Sequence, residues 1–124
     1  MTDNWKKVLV KPETFIKEVL EIITNESFRI AIVVDDKNNL IGTITDGDIR
    51  RAILKNKSLD SQAKEVMNSN PLFALPTSTT QEMAEVMLDN DILCLPVLEK
   101  GKVVNLETLN DVLKTKQFNN AVFL

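Results

Sequence analysis

An internal duplication constrains this sequence more than any other feature. The segment Arg29–Arg51 aligns without a gap with Ile92–Lys114, 63 positions further along the chain. Upstream of Phe28 the correspondence continues at a spacing of 64. Identical residues occur at apolar and polar positions alike: Pro12 and Pro76, Glu18 and Glu82, Val34 and Val97, Thr45 and Thr108, Asp48 and Asp111. A repeat of this kind predicts two copies of one supersecondary unit.

Each copy shows the apolar periodicity of a β-α-β-β-α unit. The first copy contains the runs KVLV, FIKEVLEII, IAIVVD, NLIGTI and DGDIRRAILKN. The second contains LFAL, a helix capped by Ser78 or Thr79, LCLPVL, KVVNLE and LNDVLKTK. Five apolar residues of the first helix share one face at helical spacing: Phe15, Ile16, Val19, Leu20 and Ile23. The predicted fold class is α+β, built from tandem repeats.

The two copies are expected to form one domain. A unit of about 50 residues buries too little apolar surface to be stable by itself, so each sheet needs a partner, and the other copy is the nearest one. We expect a pseudo-two-fold pair whose core includes Phe28, Ile92 and strand residues. The predicted limits are one module over 1–124, with repeat 1 at about 8–56, a linker at about 57–71, repeat 2 at about 72–116 and a tail at 117–124. Within the linker, SQAKEVM predicts a short helix that NSNP ends.

Composition narrows the function. The chain has no histidine, one cysteine and a net charge of −3 with its basic residues scattered. A histidine-based catalytic triad and a Cys/His zinc site are therefore excluded, and a nucleic-acid surface, which needs clustered basic residues, is disfavoured. Cys94 lies in an apolar run and is predicted to be a small buried hydrophobe rather than a reactive thiol. No carboxylate pair has the spacing for acid–base chemistry, so we predict that the chain is not an enzyme.

The compartment follows from the same composition. One cysteine cannot form an internal disulfide, which agrees with a reducing environment. The opening MTDNWKKVLV does not have the pattern of a signal peptide, and no apolar stretch approaches the ~20 residues of a membrane span. We therefore expect a cytoplasmic protein without a membrane partner.

The stretch ITDGD, which ends the third predicted strand and starts a helix, is the strongest candidate site. At such a junction the backbone N–H groups are unsatisfied and the helix dipole is positive. Thr45 can offer a hydroxyl beside an anion, and Gly47 lets a ligand approach the backbone. The carboxylate of Asp48 can accept two hydrogen bonds, which suits adjacent ribose hydroxyls. The pattern predicts a ribose-binding and anion-binding corner.

Charged neighbours extend this candidate site. Arg50 and Arg51 add fixed positive charge suited to a phosphate. Asp46, together with Asp48, can bind Mg²⁺ through the phosphates of a nucleotide. The alternative interpretation is purely structural: Thr-x-x-Asp is a variant of the capping box, and paired arginines are often solvated surface charge. That alternative does not account for a glycine between two acids.

These residues together resemble a CBS-domain pair, also called a Bateman module and named after cystathionine β-synthase. The stretch GTITDGDIRRAIL is similar to the family pattern G-h-h-T-x-x-D-h-x, in which h is apolar, and the resemblance covers about Val8 to Lys114. It implies a pseudo-two-fold pair that binds an adenine nucleotide (AMP, ADP or ATP) in a cleft between the repeats, with no catalytic cofactor. In that arrangement Thr45 faces the phosphate or ribose, Asp48 the ribose hydroxyls, and Arg50 or Arg51 the phosphates. The base would be walled by strand residues near Val10, Lys11 and Pro12.

The second copy departs from the family pattern. Asn105 stands where the glycine of the first copy, Gly42, would fall, and Leu113 stands in place of Arg50. Thr108 and Asp111 are retained, so they mark a second candidate site. We expect at most two sites per chain, with the Asp48 site the stronger.

The end of the chain supports a regulatory role. The sequence FNNAVFL ends in apolar residues, unlike an ordinary solvated tail. A final strand that packs on its own domain, or a dimer contact, would also explain such an end. The sequence resembles the junction of CBS pairs fused ahead of a sugar-phosphate nucleotidyltransferase domain, so an attached domain of that kind and a homodimer of CBS pairs are expected. In this hypothesis nucleotide binding changes the activity of the attached domain. The alternative is a dimerisation or interaction module that senses no nucleotide.

Overall fold

The chain folds into two successive units of the same topology, as the duplication predicts. The computed structural model describes residues 4–119, with side chains as far as Lys114. Its elements are a 3₁₀ turn at Asn4–Val8, β1 at Leu9–Val10, α1 at Ile16–Asn25, β2 at Ile30–Val34, β3 at Leu40–Thr45, α2 at Asp46–Leu54, α3 at Ala63–Val66, α4 at Thr80–Asp89, β4 at Cys94–Glu99, β5 at Lys102–Thr108 and α5 at Leu109–Asn119.

The sheets of the two repeats are built around antiparallel hairpins. In the first repeat the strand order is β1-β2-β3, with β1 parallel to β2 and β2 antiparallel to β3. In the second repeat β4 pairs with β5 in the same antiparallel way. The counterpart of β1 is a single parallel bridge between Ala74 and Val97. The first strand of each unit is therefore much shorter than the runs KVLV and LFAL predict.

The shortening of the first strand has a packing reason. A 3₁₀ turn places residues three apart on one side, and here it buries Trp5 and Val8 together in the core between the repeats. The apolar pattern of the four-residue run KVLV does not distinguish such a turn from a strand. In LFAL only Ala74 is buried, and prolines at 71 and 76 flank the run, which limits the ladder hydrogen bonds available to it.

The helices follow the predicted patterns with one exception. Ile16, Val19 and Ile23 of α1 are buried as predicted, but Phe15 is the N-cap residue and its side chain is 48% exposed. Its backbone forms a bridge with Gln62 of the linker instead of entering the helix, so the prediction that it shares the buried face was wrong. The cap of α4 is Thr79: its Oγ1 accepts a hydrogen bond from the N–H of Glu82 at 3.0 Å.

The core between the repeats draws on both halves of the chain. Trp5, Val8 and the inward-facing residues of β2 pack against residues of β4 and β5, including Cys94 and Leu106. Phe28 is half-buried against this central cluster, whereas Ile92 packs on the second repeat's own cluster. The faces that neither repeat can cover alone are thus buried on each other, and the predicted pseudo-two-fold pair is confirmed.

The hairpin turns of the two repeats are also joined. Leu40 donates its N–H to the carbonyl of Gly101 at 3.0 Å, and Val103 donates to the carbonyl of Asn38 at 3.1 Å. The side-chain Nδ2 of Asn38 adds a bond of 2.9 Å to the carbonyl of Val103. Asn38 and Gly101 have φ of 69° and 85°, and asparagine and glycine tolerate this left-handed region best. One end of the interface is therefore fixed by main-chain bonds.

The linker folds back onto the first repeat. Its helix α3 is confirmed, and after it Asn68 exchanges two backbone hydrogen bonds with Thr43 of β3, at 2.8 and 3.2 Å. Gly42 lies under this crossing: a Cβ there would be 2.5 Å from Sδ of Met67 and 2.9 Å from the carbonyl oxygen of Asn68. Within residues 4–119, β5 carries no comparable crossing, which explains why Asn105 can occupy the equivalent position.

Among the helices between residues 4 and 119, not one is long and apolar enough to cross a bilayer.

Candidate functional site

A cleft of about 700 Å³ lies between the two repeats. The first repeat contributes the β3–α2 junction and the β2 start, the second contributes Leu72 and the α4–β4 loop, and the linker contributes Asn68. Six of the eleven residues predicted from the sequence line this cleft together: Thr45, Asp46, Gly47, Asp48, Arg50 and Arg51. The motif that dominated the sequence analysis is thus open to a cavity large enough for a small organic ligand.

Thr45 and Asp48 form a complete capping box at the start of α2. The N–H of Thr45 donates to Oδ2 of Asp48 at 2.9 Å, and the N–H of Asp48 donates to Oγ1 of Thr45 at 3.4 Å. The Thr45 hydroxyl also lies 3.2 Å from the same Oδ2. The structural interpretation of the motif is therefore correct for its local hydrogen bonds. Because both residues also line the cleft, capping and ligand binding are compatible.

The second carboxylate oxygen of Asp48 is paired with Arg51. Nη2 of Arg51 lies 2.9 Å from Oδ1 of Asp48, and the arginine side chain is 67% exposed. A Cβ on Gly47 would be 3.2 Å from Nη1 of Arg51. The guanidinium is the end of a flexible side chain, so this contact alone does not require a glycine. Because Gly47 also lines the cleft, the close ligand approach predicted from sequence stays a prediction.

Two more arginines stand at the mouth of the cleft. Arg50 is exposed and makes no ion pair with any side chain in the described range 4–114. Arg29 adopts φ of 61°, a left-handed conformation that costs a non-glycine residue about 1 kcal/mol. Both arginines and Asp46 also line a second groove of about 390 Å³ between α1 and α2. The mouth of the cleft therefore carries cationic groups able to meet an anion.

Apolar side chains of both repeats also line the cleft. Phe28 and Ile30 come from the first repeat, and Ile92, Leu93 and Pro96 come from the second. A flat apolar ring can pack against such side chains while its polar substituents meet the polar ones. The cleft lining thus combines apolar side chains with hydroxyl, carboxylate and guanidinium groups.

Cys94 lies in this wall without being reactive. Burial raises the pKa of its thiol to about 11, and the negative charge of Asp111 acts in the same direction. The thiol donates to the carbonyl oxygen of Phe28 at 3.2 Å, across the repeat interface. The predicted role as a small buried residue agrees with this environment.

Three predicted residues of the first strand lie away from the cleft. Val10 is buried in the β1–β2 pairing, opposite Val33. Lys11 donates from Nζ to the carbonyl of Asp35 at 3.2 Å, and the carbonyl of Pro12 accepts a bond from the linker at 2.9 Å. These residues support the hairpin and the linker, and none of them lines the 700 Å³ cleft.

The second predicted corner is different from the first. Oγ1 of Thr108 accepts a hydrogen bond from the N–H of Asp111 at 3.0 Å, the counterpart of the bond between Thr45 and Asp48. Leu109 and Leu113 stand where the first repeat has Asp46 and Arg50, and both pack on the apolar cluster of the second repeat. Neither Thr108 nor Asp111 lines either of the two cavities. The two corners thus share a motif but not a cavity.

Sequence analysis missed the residues that reach the cleft from outside the motif. Asn68 comes from the linker, Leu72 from the start of the second repeat, and Asn90 and Asp91 from the loop after α4. Asp91 has φ of 57° and so turns the chain sharply into β4. The only signal for Asn68 was the breaker NSNP, which marks a turn and not a site.

No metal centre accompanies the cleft. In the part of the chain that the structure describes, no group of three or more histidine, cysteine or acidic side chains is placed to hold a metal ion.

Comparison with known proteins agrees with this architecture. The profile of the CBS domain matches residues 2–55 and again 63–116. The inosine-5'-monophosphate dehydrogenase of Aquifex aeolicus is 34% identical over 116 residues, which are 92% of this chain and 23% of that enzyme. The chain therefore spans about a quarter of the length of this relative.

Solved structures give the same result for the fold. The cytosolic domain of the Mg²⁺ channel MgtE, determined in complex with ATP, has a TM-score of 0.72 and 28% identity, over 87% of this chain and 44% of that one. CBSX2, determined in complex with AMP, has a TM-score of 0.77 and 20% identity, over 93% of this chain and 91% of that one. At the latter identity the likeness concerns the fold alone.

Proposed function

Because this chain belongs to the CBS-domain family and folds as a CBS pair, we propose that it is a regulatory module that binds an adenine nucleotide in the cleft between its repeats. The observation that carries the proposal is the convergence of six motif residues on one cleft that apolar side chains of both repeats also line. The complex of MgtE with ATP supports the ligand class. The chain itself is not an enzyme, since the two family matches account for residues 2–55 and 63–116.

In this proposal the nucleotide replaces contacts that the free protein makes with itself. The ribose hydroxyls donate to Oδ1 of Asp48, which the Arg51 guanidinium contacts at 2.9 Å in the free chain. Arg51 then turns toward the phosphates, where Arg50 already stands without an ion-pair partner among the described side chains. The hydrogen bonds between Oδ2 and the cap remain, so α2 keeps its start while the site is occupied.

Calorimetric titration tests the proposal. Nucleotide-free protein is titrated with AMP, ADP, ATP and S-adenosylmethionine, with and without Mg²⁺. We expect saturable binding of at least one adenine nucleotide, and we expect Mg²⁺ to matter only for the forms with two or three phosphates, through Asp46 and Asp48. If none of the four ligands gives heat or shifts the melting temperature, nucleotide sensing is ruled out.

We further propose that the module controls an attached catalytic domain in the cytoplasm. The dehydrogenase relative, of which this chain matches only 23%, supports a regulated enzyme in the same polypeptide. The resemblance of the C-terminal sequence points to a sugar-phosphate nucleotidyltransferase, although 120–124 lie outside the described residues. Measuring nucleotidyltransferase activity of the longest natural polypeptide with and without AMP or ATP tests this. An unchanged rate at saturating nucleotide contradicts it.

A non-sensing dimerisation module is the second candidate. Among the helical side chains described as far as Lys114, three large apolar ones are exposed: Ile53 by 51%, Leu54 by 77% and Leu88 by 59%. Such residues favour contact with a second copy of the chain, and a CBS-pair homodimer is part of either proposal. Sedimentation with and without nucleotide separates the two. Dimerisation together with calorimetric silence supports the non-sensing role.

A further inference from the structure

Met67 holds the end of the linker against β3. A Cβ on Gly42 would be 2.5 Å from its Sδ and 2.9 Å from its Cγ, so the thioether lies directly on the main chain of the strand. The side chain also packs on the apolar cluster of the first repeat. The next residue, Asn68, exchanges two backbone hydrogen bonds with Thr43. The thioether contact and these two bonds therefore hold one and the same linker crossing.

Met67 is also the methionine that a small oxidant can reach most easily. Three methionines lie among the side chains described between residues 4 and 114, and Met67 alone of these three is only half-buried. Met83 and Met87 are buried in the apolar cluster of the second repeat. A reagent in solution can therefore attack Met67 in the folded chain, whereas attack on the other two requires the second repeat to open.

Oxidation would change the contact with β3 from apolar to polar. When hydrogen peroxide reacts with a thioether, a lone pair of the sulfur attacks one peroxide oxygen, the O–O bond breaks and water leaves. The sulfur loses two electrons, the peroxide is reduced, and methionine sulfoxide forms. The new oxygen is a polar acceptor, but Gly42 has no side chain and the cluster around Met67 is apolar. Because the burial of an unpaired polar group is unfavourable, the oxidised side chain is expected to leave this contact.

We propose that Met67 is a peroxide-sensitive switch: oxidation of its Sδ releases the linker crossing from β3 and displaces Asn68 from the lining of the cleft. Asn68 follows Met67 directly and lines the cleft, so the two events are coupled through the main chain. The release of the crossing is independent of the proposed function, and only the effect on nucleotide affinity rests on it. Reduction by the two methionine sulfoxide reductases, one for each epimer, reverses the switch.

The first test follows the oxidation itself. The folded chain is treated with dilute hydrogen peroxide, and the extent of oxidation at each methionine is measured by peptide mass spectrometry over time. We expect Met67 to be oxidised several-fold faster than Met83 and Met87. We also expect the melting temperature to fall by about 4 °C or more as the Met67 sulfoxide accumulates, and to recover after treatment with both reductases.

Two variants assign this loss of stability to Met67. Met67→Leu keeps an apolar side chain of similar size that peroxide does not oxidise, and it retains the other methionines and Cys94. Peroxide is expected to leave its melting temperature unchanged. Met67→Gln places a polar group at the same contact, so it should have the lower melting temperature without any peroxide. An equal loss in Met67→Leu after peroxide would show that another residue is responsible.

The second test measures the effect on the cleft. Titration with AMP before and after oxidation is expected to show an affinity about 3- to 10-fold lower for the oxidised chain, and no change for peroxide-treated Met67→Leu. Saturating AMP should in turn slow the oxidation of Met67, because the ligand favours the state in which Asn68 lies in the cleft lining.

The outcomes separate this inference from the proposed function. If Met83 and Met87 react as fast as Met67, or if the Met67 sulfoxide leaves the melting temperature unchanged, the switch is wrong although the nucleotide site stands. A lower melting temperature with unchanged AMP affinity contradicts the link between the crossing and the cleft. If the chain binds no adenine nucleotide, the proposed function is wrong, and the change in melting temperature still decides whether Met67 releases the crossing.

Discussion

Asp48 serves folding and the proposed ligand site with different oxygen atoms. Oδ2 closes the capping box with Thr45, and Oδ1 faces the Arg51 guanidinium at the cleft. The sequence motif presented capping and ribose binding as competing explanations. The structure makes both possible because the carboxylate has two acceptors and the start of α2 is itself a wall of the cleft.

This division gives a prediction for Asp48→Asn. An asparagine can still accept the Thr45 N–H, but its amide cannot pair with Arg51 or accept both ribose hydroxyls. Nucleotide affinity is expected to fall more than about tenfold, whereas the free energy of unfolding falls by less than about 1 kcal/mol, as for an exposed ion pair. Calorimetry and urea denaturation measure the two effects.

Asp111→Asn is the matched control because it occupies the same place in the second repeat. It should leave nucleotide affinity unchanged. A large loss of stability in Asp48→Asn with unchanged affinity would mean that the motif caps the helix and does nothing more.

Cys94 gives a pH-dependent prediction. The pKa of its buried thiol is raised from 9.0 to about 11, so between these values the unfolded chain loses the proton and the folded chain retains it. Stability therefore decreases as the pH rises from 9 towards 11, by up to about 2 kcal/mol. Below pH 9 the thiol contributes no pH dependence. Urea denaturation at pH 8 and pH 10.5 should show a steeper alkaline loss for the natural chain than for Cys94→Ser, whose hydroxyl does not titrate. Equal losses contradict the prediction.

Among the elements, long periodic segments were predictable and short strands were not. The helices α1, α2, α4 and α5 and the hairpins β2–β3 and β4–β5 follow patterns of apolar spacing that belong to the segment itself. The first strand of each repeat depends on what packs beside it, so a 3₁₀ turn replaces part of one and a single bridge replaces the other. Phe15 was misplaced for the same reason, because its backbone pairs with a linker residue 47 positions away.

The linker crossing accounts for the first glycine of the GTITDGD motif. A methyl group at position 42 would meet Met67 and the carbonyl of Asn68, which cannot move without breaking the bonds to Thr43. Gly42→Ala is therefore expected to lower the free energy of unfolding by about 1–3 kcal/mol, as for an overpacked core. It should also weaken nucleotide binding, since Asn68 would shift with the linker.

Asn105→Ala is the control for this element, as it alters the equivalent strand position of the second repeat. A change of less than about 1 kcal/mol is expected there, because within residues 4–119 the isolated bridge of β5 is at Lys102, three residues from Asn105. Wild-type stability and binding in Gly42→Ala would show that the linker tolerates displacement.

The two repeats share one topology, but only the β3–α2 corner of the first repeat lines the cleft between them. The duplicated sequence predicted the pseudo-two-fold fold, since the equivalent sheet faces of both repeats must be buried. It also predicted the β3–α2 corner, because that chemistry is local to one motif. It did not predict the walls from the linker and the α4–β4 loop, which only the three-dimensional arrangement brings to the cleft. Nor did it place Val10, Lys11 and Pro12, which the hairpin and linker contact instead.

This asymmetry predicts the stoichiometry of binding. At the second corner Leu109 and Leu113 belong to an apolar cluster, where the first corner has Asp46 and Arg50 facing the cleft. We expect calorimetry to give one nucleotide per chain, and the double variant Thr108→Ala/Asp111→Asn to retain that value. Two equivalent sites per chain would contradict this expectation and would leave the nucleotide-binding function intact.

The crossing of the linker over β3 also determines where the polypeptide can be divided for fragment complementation. Cleavage at Lys57, just after α2 ends at Leu54, would separate the segment that covers Gly42, namely Met67 and Asn68, from the first repeat on which it packs. Cleavage after Asn70 keeps this segment in one fragment with β3. The fragments 1–70 and 71–124 are therefore expected to reassemble through the core between the two repeats. The end of the linker therefore belongs structurally to the first repeat, because the backbone bonds that hold Asn68 in place are both made with Thr43 of β3.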